Sequence, residues 1–140
     1  MPRCGNSGAR YAKRLAVALA LVVPPLHAQD FCAGETARLC GTWRGSAHQI
    51  PAGDGGADYA VVMQITATGG SIDYPTLSCG GTLARIATGP VTAEFRESIT
   101  YGPCVTGGTV MVNYSQGKLA WNWNGSERGR QYIAIGVLQK

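Results

Sequence analysis

Hydrophobic and polar side chains alternate along most of this chain with a period of two residues. Within residues 59–66, tyrosine, valine, methionine and isoleucine occupy every second position. Residues 91–99 and 119–124 repeat this pattern with other hydrophobic side chains. Alternation of this kind is typical of β-strands that bury one face and expose the other. The pattern therefore predicts an all-β protein.

Eight segments of this type are separated by residues that favour turns. The predicted strands cover residues 41–50, 58–67, 70–75, 79–87, 91–101, 108–115, 118–124 and 130–138. Glycine-rich connections follow several of them, as at 53–56 and 107–108. The segment from Glu35 to Leu39 is the one predicted helical turn. Eight short strands with tight connections favour a small antiparallel β-barrel, and a two-sheet sandwich is the alternative because periodicity does not separate them.

The first 28 residues have the layout of a signal peptide. Four basic residues precede an apolar run over 15–23, and Leu26-His27-Ala28 ends in a small residue suited to cleavage. The apolar run is much shorter than the roughly 20 residues that span a bilayer. Cleavage after Ala28 would leave residues 29–140 as a single β domain. We expect this domain to be secreted or periplasmic and not to bind a membrane.

The net charge of the chain belongs to the predicted signal peptide. The sequence contains 12 Lys and Arg residues, four of them before residue 15, and 8 Asp and Glu residues. The mature domain therefore carries eight basic and eight acidic side chains, scattered singly. Nucleic-acid binding requires a concentrated basic surface that displaces counterions from phosphates. The sequence does not predict nucleic acid as a partner.

Four cysteines remain in the predicted mature domain, which is typical of an exported protein with two disulfides. They are Cys32, Cys40, Cys79 and Cys104. Three connectivities are open, and we favour the local pairs Cys32–Cys40 and Cys79–Cys104. No two cysteines are closely spaced, and His48 is the one mature histidine, so the sequence predicts no metal site. It predicts no cofactor either.

The start of the first predicted strand resembles a known β-barrel group. Gly41-Thr42-Trp43 is similar to the Gly-x-Trp opening of lipocalins and avidins, the calycin group. In these barrels the tryptophan closes one end, often against an arginine from near the last strand. The resemblance implies a calycin-like barrel in which Arg128 or Arg130 lies against Trp43.

A second resemblance covers residues 42–138 at the level of motifs. The segments 41–45 (GTWRG), 74–81 (YPTLSCGG) and 97–104, followed by glycines at 107–108, carry it. They resemble a domain of exported proteins that also forms the outer part of some actinobacterial serine/threonine kinases. The cysteine pair of that domain supports a disulfide between Cys79 and Cys104. The resemblance implies an extracytoplasmic β module, and it supplies no catalytic residues.

Glu97 is the candidate chemical group because its position places it on the inward face of a strand, with Phe95 and Ile99. A hairpin around 88–90 would place Leu83 near Phe95 and Gly81 near Glu97, which leaves room for the carboxylate. Burial can raise the pKa of a carboxylate to values useful in catalysis. The interpretation we favour is a structural role in an internal ion pair or a backbone hydrogen bond, with an inward arginine or tyrosine as one possible partner.

Trp121 and Trp123 lie two residues apart on one predicted strand and therefore point the same way. If they face outward, they form a stacking platform for sugar rings. If they face inward, they belong to the core, which fits the alternation better. We expect no catalytic role for His48, and Tyr74 is interpreted as the end of a strand.

The sequence favours a non-catalytic binding module that recognises a protein partner, with inhibition of that partner as one form. Large side chains fill most of an eight-stranded interior, which leaves little space for a ligand. The first alternative is a calycin-like carrier of a small apolar ligand, in a cavity lined by Tyr59, Phe95, Trp121 and Trp123. The second is an enzyme that uses Glu97 as an acid or base in the barrel mouth.

Overall fold

The chain folds into a closed barrel of eight antiparallel strands. A computed structural model describes residues 30–140, so the predicted signal peptide lies outside the described residues. The strands are β1 (Gly41–Gly53), β2 (Gly56–Thr66), β3 (Gly69–Tyr74), β4 (Cys79–Thr88), β5 (Thr92–Tyr101), β6 (Thr109–Ser115), β7 (Lys118–Glu127) and β8 (Arg130–Gln139). Each strand pairs with the next along the chain, and β8 pairs with β1 to close the barrel. The predicted barrel is confirmed, and the sandwich alternative is wrong.

The alternation of the sequence places one side of each strand in the core. Trp43, Met63, Phe95, Leu119 and Leu138 come from five different strands and are fully buried. Their neighbours along the chain face outward. Because an eight-stranded barrel is just wide enough to be filled by side chains, these residues form a packed core at the centre of the barrel.

One end of the barrel is closed by the segment that precedes β1. A 3₁₀ helix over Gly34–Leu39, where the sequence predicts a helical turn, places buried Leu39 across this end. The indole Nε1 of Trp43 donates a hydrogen bond to the Leu39 carbonyl at 2.8 Å. Phe31 packs over the same end with the Arg85 guanidinium 4.1 Å from its ring centre.

Two disulfides join the described cysteines as predicted. Cys32–Cys40 spans the 3₁₀ helix at the closed end, and Cys79–Cys104 joins the start of β4 to the loop after β5. Such bonds persist in oxidising compartments, which is consistent with an exported protein. None of the helices in residues 30–140 is long and apolar enough to cross a membrane.

The predicted partner of Trp43 is wrong. Arg128 and Arg130 flank the turn between β7 and β8, at the other end of the barrel from Trp43. The cation over the Trp43 ring is instead Lys140, whose Nζ lies 4.9 Å from the ring centre. Lys140 reaches this position because β8 runs back to the closed end, directly beside the start of β1.

The predicted register between β4 and β5 is also wrong. Leu83 pairs with Glu97, and Gly81 pairs with Ile99, whereas Phe95 lies opposite Arg85. The hairpin turns around 89–91 rather than 88–90, and the register shifts at an irregularity between Arg85 and Ala87. An extra residue in one strand displaces every pairing beyond it, which periodicity alone does not reveal.

Candidate ligand site at the open end of the barrel

The end of the barrel opposite Trp43 holds a cavity of about 370 Å³. The turns and loops that follow β1, β3, β5 and β7 surround its entrance, so we call it the mouth cavity. Its wall combines aromatic rings with carboxyl, amide and hydroxyl groups. Cavities of this volume, with a few polar groups in an aromatic wall, are typical of sites for small molecules.

Glu97 lies at the boundary between the mouth cavity and the packed core. Its side chain is 1% exposed, and it is the one charged side chain buried among residues 30–140. The Tyr74 hydroxyl donates to Oε1 at 2.5 Å, and the Trp123 indole Nε1 donates to Oε2 at 2.7 Å. Each carboxylate oxygen therefore has one donor from a neighbouring aromatic residue. One of the two donors is a tyrosine, and the structural role of Glu97 stays a prediction.

The loop between β5 and β6 holds the backbone of Glu97 in place. The Glu97 amide donates to the Gly108 carbonyl at 2.9 Å, and the Gly107 amide donates to the Glu97 carbonyl at 3.2 Å. Gly107 has a φ of +84°, a backbone conformation that residues other than glycine rarely adopt. The glycine pair at 107–108, visible in the sequence as a turn signal, thus fixes where Glu97 enters the cavity.

Two glycines make room for the Trp123 indole. A Cβ atom at Gly108 would lie 2.2 Å from Trp123 Nε1, and one at Gly125 would lie 2.3 Å from the far edge of the same ring. The indole therefore lies directly against bare backbone on two sides. This close packing aims its N–H group at Glu97.

Tyrosines from β2 and β3 form the wall beside Glu97. The rings of Tyr59 and Tyr74 pack edge to face with their centres 5.5 Å apart. Such contacts hold aromatic rings in a defined orientation. The Tyr59 hydroxyl donates to the Gln49 side-chain oxygen at 3.4 Å, which links this wall to β1.

The pKa values of these groups reflect their burial. Loss of solvation raises the pKa of the Glu97 carboxyl above its ordinary value, and the hydrogen bonds from Tyr74 and Trp123 act in the opposite direction. Burial, followed by the nearby Glu97 charge, raises the pKa of both Tyr59 and Tyr74. The two tyrosines therefore stay protonated and act as donors at neutral pH.

Charged side chains of both signs surround the mouth cavity. Asp54 belongs to the turn after β1, Glu127 ends β7, and Arg130 starts β8. The Arg130 guanidinium lies 5.7 Å from the ring centre of Tyr132, which also lines the cavity. Together with Glu97, the lining holds three carboxyl groups and one guanidinium.

The residues predicted to form a site divide into two groups. Tyr59, Glu97 and Trp123 line the mouth cavity. Phe95 and Trp121 lie in the core, 0% and 2% exposed, and are not part of the cavity wall. Both tryptophans point inward, as the alternation predicts.

Tyr74 is the site residue that the sequence interpretation missed. It lies two strands away from Glu97 in the barrel, because β4 separates β3 from β5. Contact between the two side chains depends on the closure of the barrel. The tyrosine immediately before Pro75, on the inward face of β3, is the one signal that could have identified it.

His48, the one histidine of the predicted mature domain, is not part of the mouth cavity. Within residues 30–140, no group of three or more His, Cys, Asp and Glu side chains is placed to hold a metal ion. His48 pairs with Asp58 through Nδ1 and Oδ1 at 2.8 Å, and both side chains are exposed. This pair lies on the outward faces of β1 and β2, away from Glu97.

Comparison with protein-family models, curated proteins and solved structures finds no significant match to this chain. The resemblance to calycins and to the kinase-associated domain therefore stays a prediction. The conclusions about function depend on the geometry of the mouth cavity.

Proposed function

We propose that this protein is an exported, non-catalytic binding module that holds a small ligand in its mouth cavity. This proposal corresponds to the small-ligand carrier that the sequence offered as an alternative, but the type of ligand differs. The buried Glu97 and the tyrosine hydroxyls favour a ligand that has an apolar body and a polar group, rather than a purely apolar one.

The two ends of the barrel differ, and this difference is the main support for a ligand site. Leu39 and Trp43 fill one end, whereas the other has a cavity of about 370 Å³ beside a buried carboxylate. Filling that end with apolar side chains would be the simpler way to stabilise a small barrel, since apolar burial stabilises a fold by about 25 cal/mol per Å². The cavity and the buried carboxyl group at this end therefore support a binding role.

Export is part of the same proposal. The two disulfides support an oxidising compartment, and the sequence of residues 1–28 supports a signal peptide. A secreted or periplasmic carrier meets both conditions.

Binding of a neutral fluorescent probe tests the proposal. The full chain, with both disulfides formed, is titrated with N-phenylnaphthylamine, whose emission rises in an apolar site. We expect saturable binding that Val105→Trp abolishes, because Val105 is half-buried in the cavity wall and a larger side chain would occupy the space.

The matched control for this experiment is Ile133→Trp, which adds the same ring to an exposed position on the outside of β8. It should leave probe binding unchanged. Absence of saturable binding to the wild type, or equal loss in both variants, would contradict a ligand site in the mouth cavity.

Recognition of a protein partner, the function favoured by the sequence, stays a prediction. Enzymatic use of Glu97 also stays a prediction, and its position beside the cavity is compatible with either role. Tyr74 and Trp123 occupy one acceptor position on each of its oxygens. The geometry thus supports a held carboxylate more directly than a free acid or base.

A further inference from the structure

The mouth cavity contains a buried carboxyl group without a positive partner in the described chain. Among residues 30–140, no Lys, Arg or His nitrogen lies within 4.0 Å of the Glu97 carboxylate. Removing an ion from water is unfavourable, and buried charges in proteins are therefore usually paired. Because Glu97 lines the mouth cavity, the cavity is the side from which a counter-charge can approach it.

The hydrogen bonds around Glu97 suit its ionised form. The Trp123 indole can only donate, and the Tyr74 hydroxyl donates to the other oxygen. A neutral carboxylic acid would need an acceptor for its own proton. An ionised carboxylate accepts about four hydrogen bonds, and two are present, so acceptor capacity remains for a ligand.

The aromatic wall also favours a positive charge. Tyr59, Tyr74, Trp123 and Tyr132 line the cavity, and the faces of such rings attract cations. At the rim, Asp54 and Glu127 are balanced by Arg130 and by Arg128 in the same turn, so Glu97 is the ionisable group that distinguishes the interior of the cavity.

We propose that the ligand of the mouth cavity is a small organic cation, a protonated amine on an apolar or aromatic body, whose ammonium group donates to Glu97. This inference rests on the proposed function of the mouth cavity as a ligand site. It adds the chemical class of the ligand and identifies Glu97 as the residue that selects it.

Three probes of similar size and different charge test this inference. Phenethylamine, phenylethanol and phenylacetate carry a positive, a neutral and a negative group on the same ring and short chain. Calorimetric titration of the full chain at neutral pH should give the tightest binding for phenethylamine. We expect a preference over phenylethanol of about tenfold or more, as for a hydrogen bond to a buried charge.

Two variants make the comparison specific to Glu97. Glu97→Gln should remove the preference for the amine, since the amide keeps the shape and loses the charge. Glu94→Gln makes the same change on the outward side of β5 and should retain the preference. If Glu97→Gln fails to fold, the order of the three probes on the wild type still decides the inference.

The outcomes separate this inference from the proposed function. If phenylethanol or phenylacetate binds as tightly as phenethylamine or more tightly, the inference of an amine ligand is wrong, but the proposal of a ligand site still holds. The same holds if N-phenylnaphthylamine binds and none of the three probes does. If none of the four compounds binds, both the inference and the proposed function are wrong.

Discussion

The Glu97 carboxylate could be predicted from the sequence as an inward group, but its contacts could not. Strict alternation with Phe95 and Ile99 sets the direction of its side chain. Its donors, Tyr74 and Trp123, come from strands that are not adjacent to β5 and reach it only in the closed barrel. Leu83, not the expected glycine, lies opposite Glu97, and Gly108 makes room for the Trp123 indole that donates to it.

Stability should depend on pH through Glu97. Because burial raises the pKa of Glu97, the folded protein holds this proton more tightly than the unfolded chain does. The contribution of this proton to the free energy of unfolding is fully present below the ordinary pKa of 4.5. It is lost as the pH rises through the raised pKa of the folded state. The slope attributable to one group is at most about 1.4 kcal/mol per pH unit.

Denaturant unfolding of the wild type and of Glu97→Gln over a range of pH measures this effect. The free energy of unfolding of the wild type should fall, relative to that of the variant, as the pH rises above 4.5. Tyr59 and Tyr74, which face Glu97, remain protonated throughout this range because their pKa values are raised. Parallel curves for the two proteins would show that the pKa of Glu97 is not raised.

At the scale of elements, alternation and glycine positions predicted the eight strands and the helical turn before β1. What they did not predict is the irregularity near Ile86, since an extra residue in a strand leaves the hydrophobic pattern almost unchanged. The 3₁₀ helix at Pro75–Leu77 was also missed, because three residues are too few to show a helical period.

The two disulfides belong to elements at opposite ends of the barrel and should therefore differ in their effect on binding. Replacing either pair with alanines is expected to lower the free energy of unfolding by about 3 kcal/mol in the chain-entropy model. Loss of Cys79–Cys104 should also weaken N-phenylnaphthylamine binding, because Cys104 and Val105 belong to the cavity wall.

The Cys32→Ala/Cys40→Ala variant is the matched control, since this pair lies at the closed end. Its affinity for the probe should equal that of the wild type at a temperature where both variants are folded. Equal weakening in the two variants would indicate that the probe reports general loosening of the barrel.

For the molecule as a whole, the sequence predicted a barrel and did not show which end would be open. Closure of the sheet removes every exposed edge, and the antiparallel order places all the odd-to-even connections at one end. Leu39 of the segment before β1 and Trp43 of β1 fill the other end, so among residues 30–140 the cavity forms at the end without such a segment. Which end of the barrel is open depends on tertiary packing rather than on the periodicity of the sequence.

The three tryptophans of the chain provide internal reporters for the position of a ligand. Trp123 Nε1 donates to Glu97 at the cavity, and Trp43 Nε1 donates to Leu39 at the closed end. The Trp121 Nε1 group is buried in the core without a hydrogen-bond partner among residues 30–140. Their indole N–H signals, assigned with single Trp→Phe variants, can be followed in one nitrogen–proton correlation spectrum.

Titration of the full chain with phenethylamine, followed in this spectrum, tests ligand binding at Glu97. We expect the Trp123 signal to shift in a saturable manner while the Trp43 signal stays in place. A stationary Trp123 signal at saturating probe, or a shift confined to Trp43, would contradict ligand binding at Glu97.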